Sequence, residues 1–239
     1  AQRQLTKTYI SFNRLTSNER VYRSLLVNEL HKHNILDHGY VSYSKDCPDG
    51  GDFAENLIKA VDNNLISNEL AQEAIANISN LPELRIDFPA QSIPNQSMAL
   101  TPMLQLMQSF LFLVTETCYW QTKTHLTEKI FKPIVLRMPF LLVGCANNLE
   151  YLRSYGFRTF DCWIDESYDT IEDPIERMHA IGRVLLDISN RSLDDLHEML
   201  CDMQEVLDHN YNLFYSQELL DTCWNELVDG IKAVTNGPN

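Results

Sequence analysis

Four residues in two short phrases carry the chemistry of this chain: Glu116, which ends the apolar run Phe110-Leu-Phe-Leu-Val-Thr, and the triplet Thr127-Glu128-Lys129. A buried strand that delivers a carboxylate to its C-terminal end, followed by a helix start bearing an acid, an ammonium and free backbone N–H groups, is the way an open α/β sheet receives a phosphorylated ligand. Lys129 suits a phosphate oxygen, and the guanidinium of Arg20 can grip two. Taken alone, Glu128 is a dipole-favoured acid in the first turn of a helix capped by Thr127, worth a few tenths (~0.3–1 kcal/mol). Its reading as a ligand for ribose hydroxyls gains from the arrival of Glu116 and Lys129 beside it. Glu116 is harder to explain as surface, because acids seldom end a buried strand without a partner. Orienting Lys129, orienting Arg20 and meeting a sugar are all open to it.

Other chemistries find less support. Neither G-x-G-x-x-G nor G-x-x-x-x-G-K-[ST] occurs, and only eight glycines are present, so side chains and helix ends must hold any phosphate. No elbow or family signature frames a serine or cysteine nucleophile. His31-Lys32-His33 reads as a basic helix end, and Asp165-Glu166 with Asp169 as a solvated loop. Arg23, Lys123 and Lys132 read as solvated helix residues. The six cysteines show no C-x-x-C spacing, which points to a reduced, cytoplasmic protein without zinc.

The elements that must position these residues follow from patterning. Thr8–Asn13 reads as a strand, Glu19–Asn34 as a helix and Tyr40–Tyr43 as the next strand, a first βαβ unit. A turn cluster at 46–51 leads to helices over about 52–62 and 67–79 and a proline-rich connection, 82–102, suited to a lid. From Leu104 the pattern resumes with strand 110–115, the Glu128 helix, strand 140–143 and a helix over 148–155. Gly156 at its C′ position and a short strand, 157–160, follow. Pro133 falls inside the Glu128 helix and should kink or restart it. Asp173-Pro-Ile-Glu176 opens a helix to about Ser189, Ser192 opens another whose stripe runs from Leu193 to Leu207, and 217–234 forms a third. The expected architecture is α/β: a Rossmann-like parallel sheet flanked by helices with a helical C-terminal tail. It makes a single domain over 1–239, with 46–105 a helical and loop insertion and 173–239 the tail.

Read together, Ile10-Ser-Phe-Asn13, then Arg20-Val-Tyr-Arg-Ser-Leu, then Phe-Leu-Val-Thr-Glu116, Leu-Thr-Glu128-Lys129 and Pro139-Phe-Leu-Leu-Val-Gly144 resemble the donor-binding half of the α1,3-fucosyltransferase family. The likeness spans roughly 7–45 and 105–160. Gly156-Phe-Arg-Thr-Phe and Asp165-Glu-Ser-Tyr-Asp169 are also similar to glycosyltransferase-like proteins of large phages. The resemblance implies one half of a GT-B fold and a metal-independent glycosyltransferase with a nucleotide sugar as substrate rather than a cofactor. It implies that Arg20 and Lys129 hold the donor pyrophosphate and Glu128 the ribose, with Asn13, Glu116 and Thr127 completing the site. The chain departs from the family at His125, where a tyrosine is usual, and at Thr117, where an asparagine is. Because that family keeps its general base in an N-terminal acceptor domain, the expectation is that a further domain, a partner or segment 46–105 meets the acceptor, be it glycan, protein or modified DNA.

Charge is distributed unevenly: residues 1–149 hold 13 Lys+Arg against 14 Asp+Glu, and 150–239 hold 6 against 19, so the two parts carry −1 and −13. The acidic part disfavours polyanions. No apolar run approaches the ~20 residues that span a bilayer. The reading from a different class is a non-catalytic α/β module whose acidic helical tail binds a protein.

Overall fold

A computed structural model describes residues 3–48, 50–86 and 103–235. Most of the proline-rich connection, 87–102, therefore lies outside the described residues, and with it the lid expectation.

Four parallel strands make the sheet: β1 (Lys7–Asn13), β2 (Gly39–Tyr43), β3 (Ser109–Thr115) and β4 (Phe140–Val143), in the order β2-β1-β3-β4. Every residue of β3 and β4 is buried, as expected of parallel strands covered on both faces. Tyr9 pairs with Gly39 and Ser11 with both Val41 and Leu113. Gly39 must be glycine, since a Cβ there would lie 2.1 Å from the Tyr9 ring. That ring is fixed by its hydroxyl, which donates to Ile35 O at 2.8 Å.

The connection from β1 to β2 runs through a 3-10 turn, Asn18–Arg20, and α1 (Tyr22–Lys32), while the one from β3 to β4 runs through α5 (Glu128–Val135). These crossovers leave the two central strands in opposite directions, so the gap between the C-terminal ends of β1 and β3 is the sheet's topological switch point.

Between β2 and β3 lie α2 (Phe53–Asp62), α3 (Asn68–Ser79) and α4 (Met103–Gln108). Asp52 caps α2 by accepting from Glu55 N, and Ser67 caps α3 by accepting from Leu70 N, so the apolar faces of both helices start where a short polar side chain frees the chain from extended geometry. Helix α3 then packs on α1.

Beyond β4 come α6 (Asn148–Ser154), α7 (Pro174–Ser189), α8 (Leu193–Asp202), α9 (Gln204–Phe214) and α10 (Gln217–Thr235). Gly156 takes the left-handed conformation expected of a C′ glycine, with φ +88°. Asp173 caps α7 with Pro174 at its first position. Residues 157–160 do not form a strand: Phe157 and Phe160 are buried as single anchors, and Phe160 meets the Phe140 ring edge-on at 5.0 Å. The stripe read as one helix from Leu193 to Leu207 is split at Met203, which closes α8 and starts α9 while remaining fully buried. Pro133 sits inside α5, which runs on through Val135; Arg137, with φ +49°, lies just beyond its end. No helix among the described residues is long and apolar enough to cross a membrane.

Candidate functional site at the switch point

The C-terminal ends of β1 and β3 are held together by α1. Arg23, only 4% exposed, donates through Nη1 to Leu15 O at 3.1 Å and through Nη2 to Thr115 O at 2.9 Å and Glu116 O at 3.3 Å. The neighbouring Tyr22 hydroxyl also donates to Glu116 O. Arg23 is thus no solvated helix residue: it bridges the loop after β1 to the end of β3 by supplying donors to buried main-chain carbonyls of both. Burial pushes the Tyr22 phenol up to about 12, against the opposing pull of the Arg23 charge.

A second buried arginine matches it from α7. Arg177, 2% exposed, donates to Gly144 O at 3.1 Å, Ile171 O at 2.6 Å, Glu172 O at 3.1 Å and Tyr119 O at 2.7 Å. It ties the end of β4 to the loop after β3. Sequence reasoning missed it, because an arginine in a helix looks like an exposed one until the carbonyls it collects from distant segments are placed around it.

Glu116 is fully buried and turned toward the start of α5. Its Oε1 accepts from Thr127 N at 3.1 Å and its Oε2 from Thr127 Oγ1 at 2.5 Å. Among the roles open to it, the structure adds one the sequence did not offer: the carboxylate docks the capping residue of α5 onto the end of β3. Thr127 Oγ1 also accepts from Lys129 N at 3.4 Å and from Lys129 Nζ at 3.1 Å. Lys129 Nζ further reaches Thr117 Oγ1 and Glu128 Oε1, each at 3.2 Å. Glu116 therefore orients Lys129 at one remove, through the Thr127 hydroxyl, and Thr117 is a partner of the same ammonium.

Four of the six residues selected from the sequence, Glu116, Thr127, Glu128 and Lys129, are joined in this cluster. The Lys129 and Glu128 side chains are 27% and 33% exposed, so the cluster opens to solvent on that side. Burial works against ionisation of Glu128, but the hydrogen bond and charge of Lys129 prevail and hold its carboxyl below the usual range. Lys132 is half-buried, and burial lowers its ammonium despite the Glu128 charge; Lys123 is exposed.

The other two come from β1 and the loop after it. Arg20 ends the 3-10 turn rather than lying inside α1, and that turn is docked on the loop after β3: Trp120 Nε1 donates to Glu19 O at 3.1 Å, and Gln121 Nε2 to the Glu19 carboxylate. Asn13, fully buried, donates through Nδ2 to Ser11 Oγ at 2.8 Å. Its Oδ1, together with Thr16 Oγ1 and Ser17 Oγ, is buried without a hydrogen-bond partner. Three such atoms on five consecutive positions at one strand end form an unusual concentration, since most buried polar side-chain atoms are paired.

The stretch leading into Thr127 is fixed by a residue that sequence reasoning passed over. Asn148 accepts from His125 N at 3.0 Å and donates to His125 O at 3.2 Å. Gly144, at the end of β4, leaves it room: a Cβ there would lie 2.5 Å from Asn148 Nδ2 and 3.5 Å from Glu116 Cβ.

The acids of 165–169 are structural, and the expectation of a solvated loop fails for Asp169. It is 3% exposed, and both its oxygens accept from Leu149 N at 3.1 Å, satisfying the start of α6. Burial raises its carboxyl and that of Glu166, while Ser167 lowers exposed Asp165. His33 caps α1 and lies 3.7 Å from Glu29, which also meets His179 Nδ1 at 3.1 Å. No group of three or more His, Cys, Asp or Glu among the described residues is placed to hold a metal ion.

Compared with family models, curated proteins and solved structures, the chain matches none.

Proposed function

We propose that the crevice at the switch point binds the diphosphate of a nucleotide sugar and that the chain is the donor-binding part of a glycosyltransferase. The observation that carries this reading is the convergence of the Lys129 ammonium, the Thr117 hydroxyl and the N-terminus of α5 at the end of β3. Ammonium, hydroxyl and helix N–H donors in one place are what a phosphate requires. A partly exposed pair such as Lys129–Glu128 contributes less than about 1 kcal/mol, so phosphate oxygens can take over the ammonium at small cost. The released Glu128 carboxylate is then free for the ribose hydroxyls.

Arg20 belongs to the loop after β1, on the other flank of the switch point. In this reading it takes the second phosphate. Asn13 Oδ1 is an acceptor and does not suit a phosphate; it fits a ligand hydroxyl or amine, while Thr16 and Ser17 can donate. Buried Arg23 and Arg177 add fixed positive charge behind the crevice. When the sugar leaves, negative charge grows on the diphosphate, and donors already in place stabilise it without reorganising.

The test is thermal stabilisation across a panel of nucleoside diphosphates. One of them is expected to raise the melting temperature at millimolar concentration and the others much less. A flat response to all would remove the site and favour the interaction-module reading.

A further inference from the structure

Behind the switch point Tyr22 and Tyr119 are fully buried, whereas the next ring in contact with them, Trp120, is half-exposed. Trp120 meets Tyr119 at a centroid distance of 5.4 Å with the ring planes 87° apart. Tyr22 stacks on one face of Tyr119, and the Arg177 guanidinium lies over the other. With both faces taken, Tyr119 has only its edge to offer, and that edge covers one face of the indole. The indole N–H is spent on Glu19 O at 3.1 Å. A ring fixed at its nitrogen and backed on one side has its opposite face left for a ligand.

The ring stands on the Arg20 side of the crevice. The loop after β3 starts beside Lys129, where Thr117 Oγ1 lies 3.2 Å from the ammonium. Three residues later Trp120 is bonded to Glu19, the residue before Arg20, and Gln121 holds the Glu19 carboxylate on the same loop. This short segment therefore crosses from one proposed phosphate ligand to the turn that carries the other.

On the basis of the nucleotide-sugar reading above, we infer that Trp120 is the platform on which the sugar ring of the donor rests. In that reading Glu128 takes the ribose, Lys129 the first phosphate and Arg20 the second, so the group beyond Arg20 is the sugar and not the base. The face of an indole is negative, which disfavours phosphate oxygens and suits polarised C–H bonds. A pyranose carries such bonds on its faces and its hydroxyls around the rim, where they remain free for hydrogen bonds. The transferred group is then a pyranose with C–H bonds gathered on one face, and Trp120 selects for that face.

Calorimetry separates this contact from the diphosphate site. The probes are ADP, CDP, GDP or UDP, whichever stabilises the chain, and the glucose, mannose, galactose and fucose esters of that same diphosphate. The best-binding ester is then titrated into Trp120→Leu and Trp120→Phe. Trp120→Leu should weaken the ester about five- to tenfold and leave the bare diphosphate within about twofold, while Trp120→Phe, which keeps a ring, recovers most of the loss. A general disturbance of the fold would weaken both ligands together. Equal losses for ester and diphosphate, or none for either, overturn the role of Trp120 and leave the diphosphate site standing, as does a wild type that binds the diphosphate but none of the esters. If no nucleoside diphosphate binds the wild type, the nucleotide-sugar reading fails and the sugar platform with it.

Discussion

Tyr22 and Tyr119 stack with their ring centroids 4.3 Å apart and their planes 13° from parallel. A buried guanidinium stands at each end of the pair, Arg177 at 4.7 Å from the Tyr119 ring and Arg23 at 5.9 Å from the Tyr22 ring. This column joins α1, the loop after β3 and α7 behind the switch point. Both arginines direct donors at main-chain carbonyls of the strand ends, so the base of the crevice is rigid and positive at once.

Arg23→Met should therefore act on stability before it acts on ligand binding. It keeps most of the apolar stem but leaves the carbonyls of Leu15 and Thr115 without that donor, at a cost of about 3 kcal/mol. Urea denaturation measures it. A loss below about 0.5 kcal/mol, the scale of ordinary surface changes, would show that Arg23 is not the clasp described.

Glu116→Gln tests the docking of α5. The amide retains one oxygen for Thr127 but no charge, and its NH₂ must face a donor or turn away. We expect a loss of about 1–3 kcal/mol in stability and a weaker nucleotide complex, because Lys129 is positioned through Thr127. Unchanged affinity together with lowered stability would confine Glu116 to folding.

Lys129→Ala and Arg20→Ala should each weaken nucleoside-diphosphate binding by about 1.5–3 kcal/mol, the range of a charge-assisted hydrogen bond, with the fold intact. Calorimetry on both variants decides the matter. Wild-type affinity in both would eliminate the proposed crevice.

Asp169 predicts a pH slope. Burial raises its carboxyl above the ordinary value of 3.8, so in the window from that value up to the raised one the folded state holds a proton that the unfolded state has lost. Its contribution is complete below the unfolded value and is lost as pH rises through the folded one. Asp169→Asn keeps an acceptor for Leu149 N and removes the titration. Denaturation over a pH series that rises from the ordinary value of 3.8 should show the wild type losing stability relative to the variant. Parallel curves would contradict the prediction.

The order of elements and the grouping of Glu116 with Thr127, Glu128 and Lys129 were legible in the sequence. These depend on local rules: apolar runs too short for helices, a threonine that caps and acids that gather at helix starts. Asn13 could be placed at a strand end for the same reason. The identity of the switch point could not, because strand order is set by which apolar faces meet. Nor could the buried states of Arg23, Arg177 and Asp169, each of which is a polar residue in an ordinary surface pattern until carbonyls or N–H groups from distant segments surround it. Residues 157–160 looked like a strand because Phe157 and Thr159, buried on either side of exposed Arg158, imitate alternation. Helix α10 divides the same way. Its amphipathic spacing is a property of the sequence, but only the packing of Leu219 and Glu226 against the body decides which side points outward, since a helix turns one face in and one face out together.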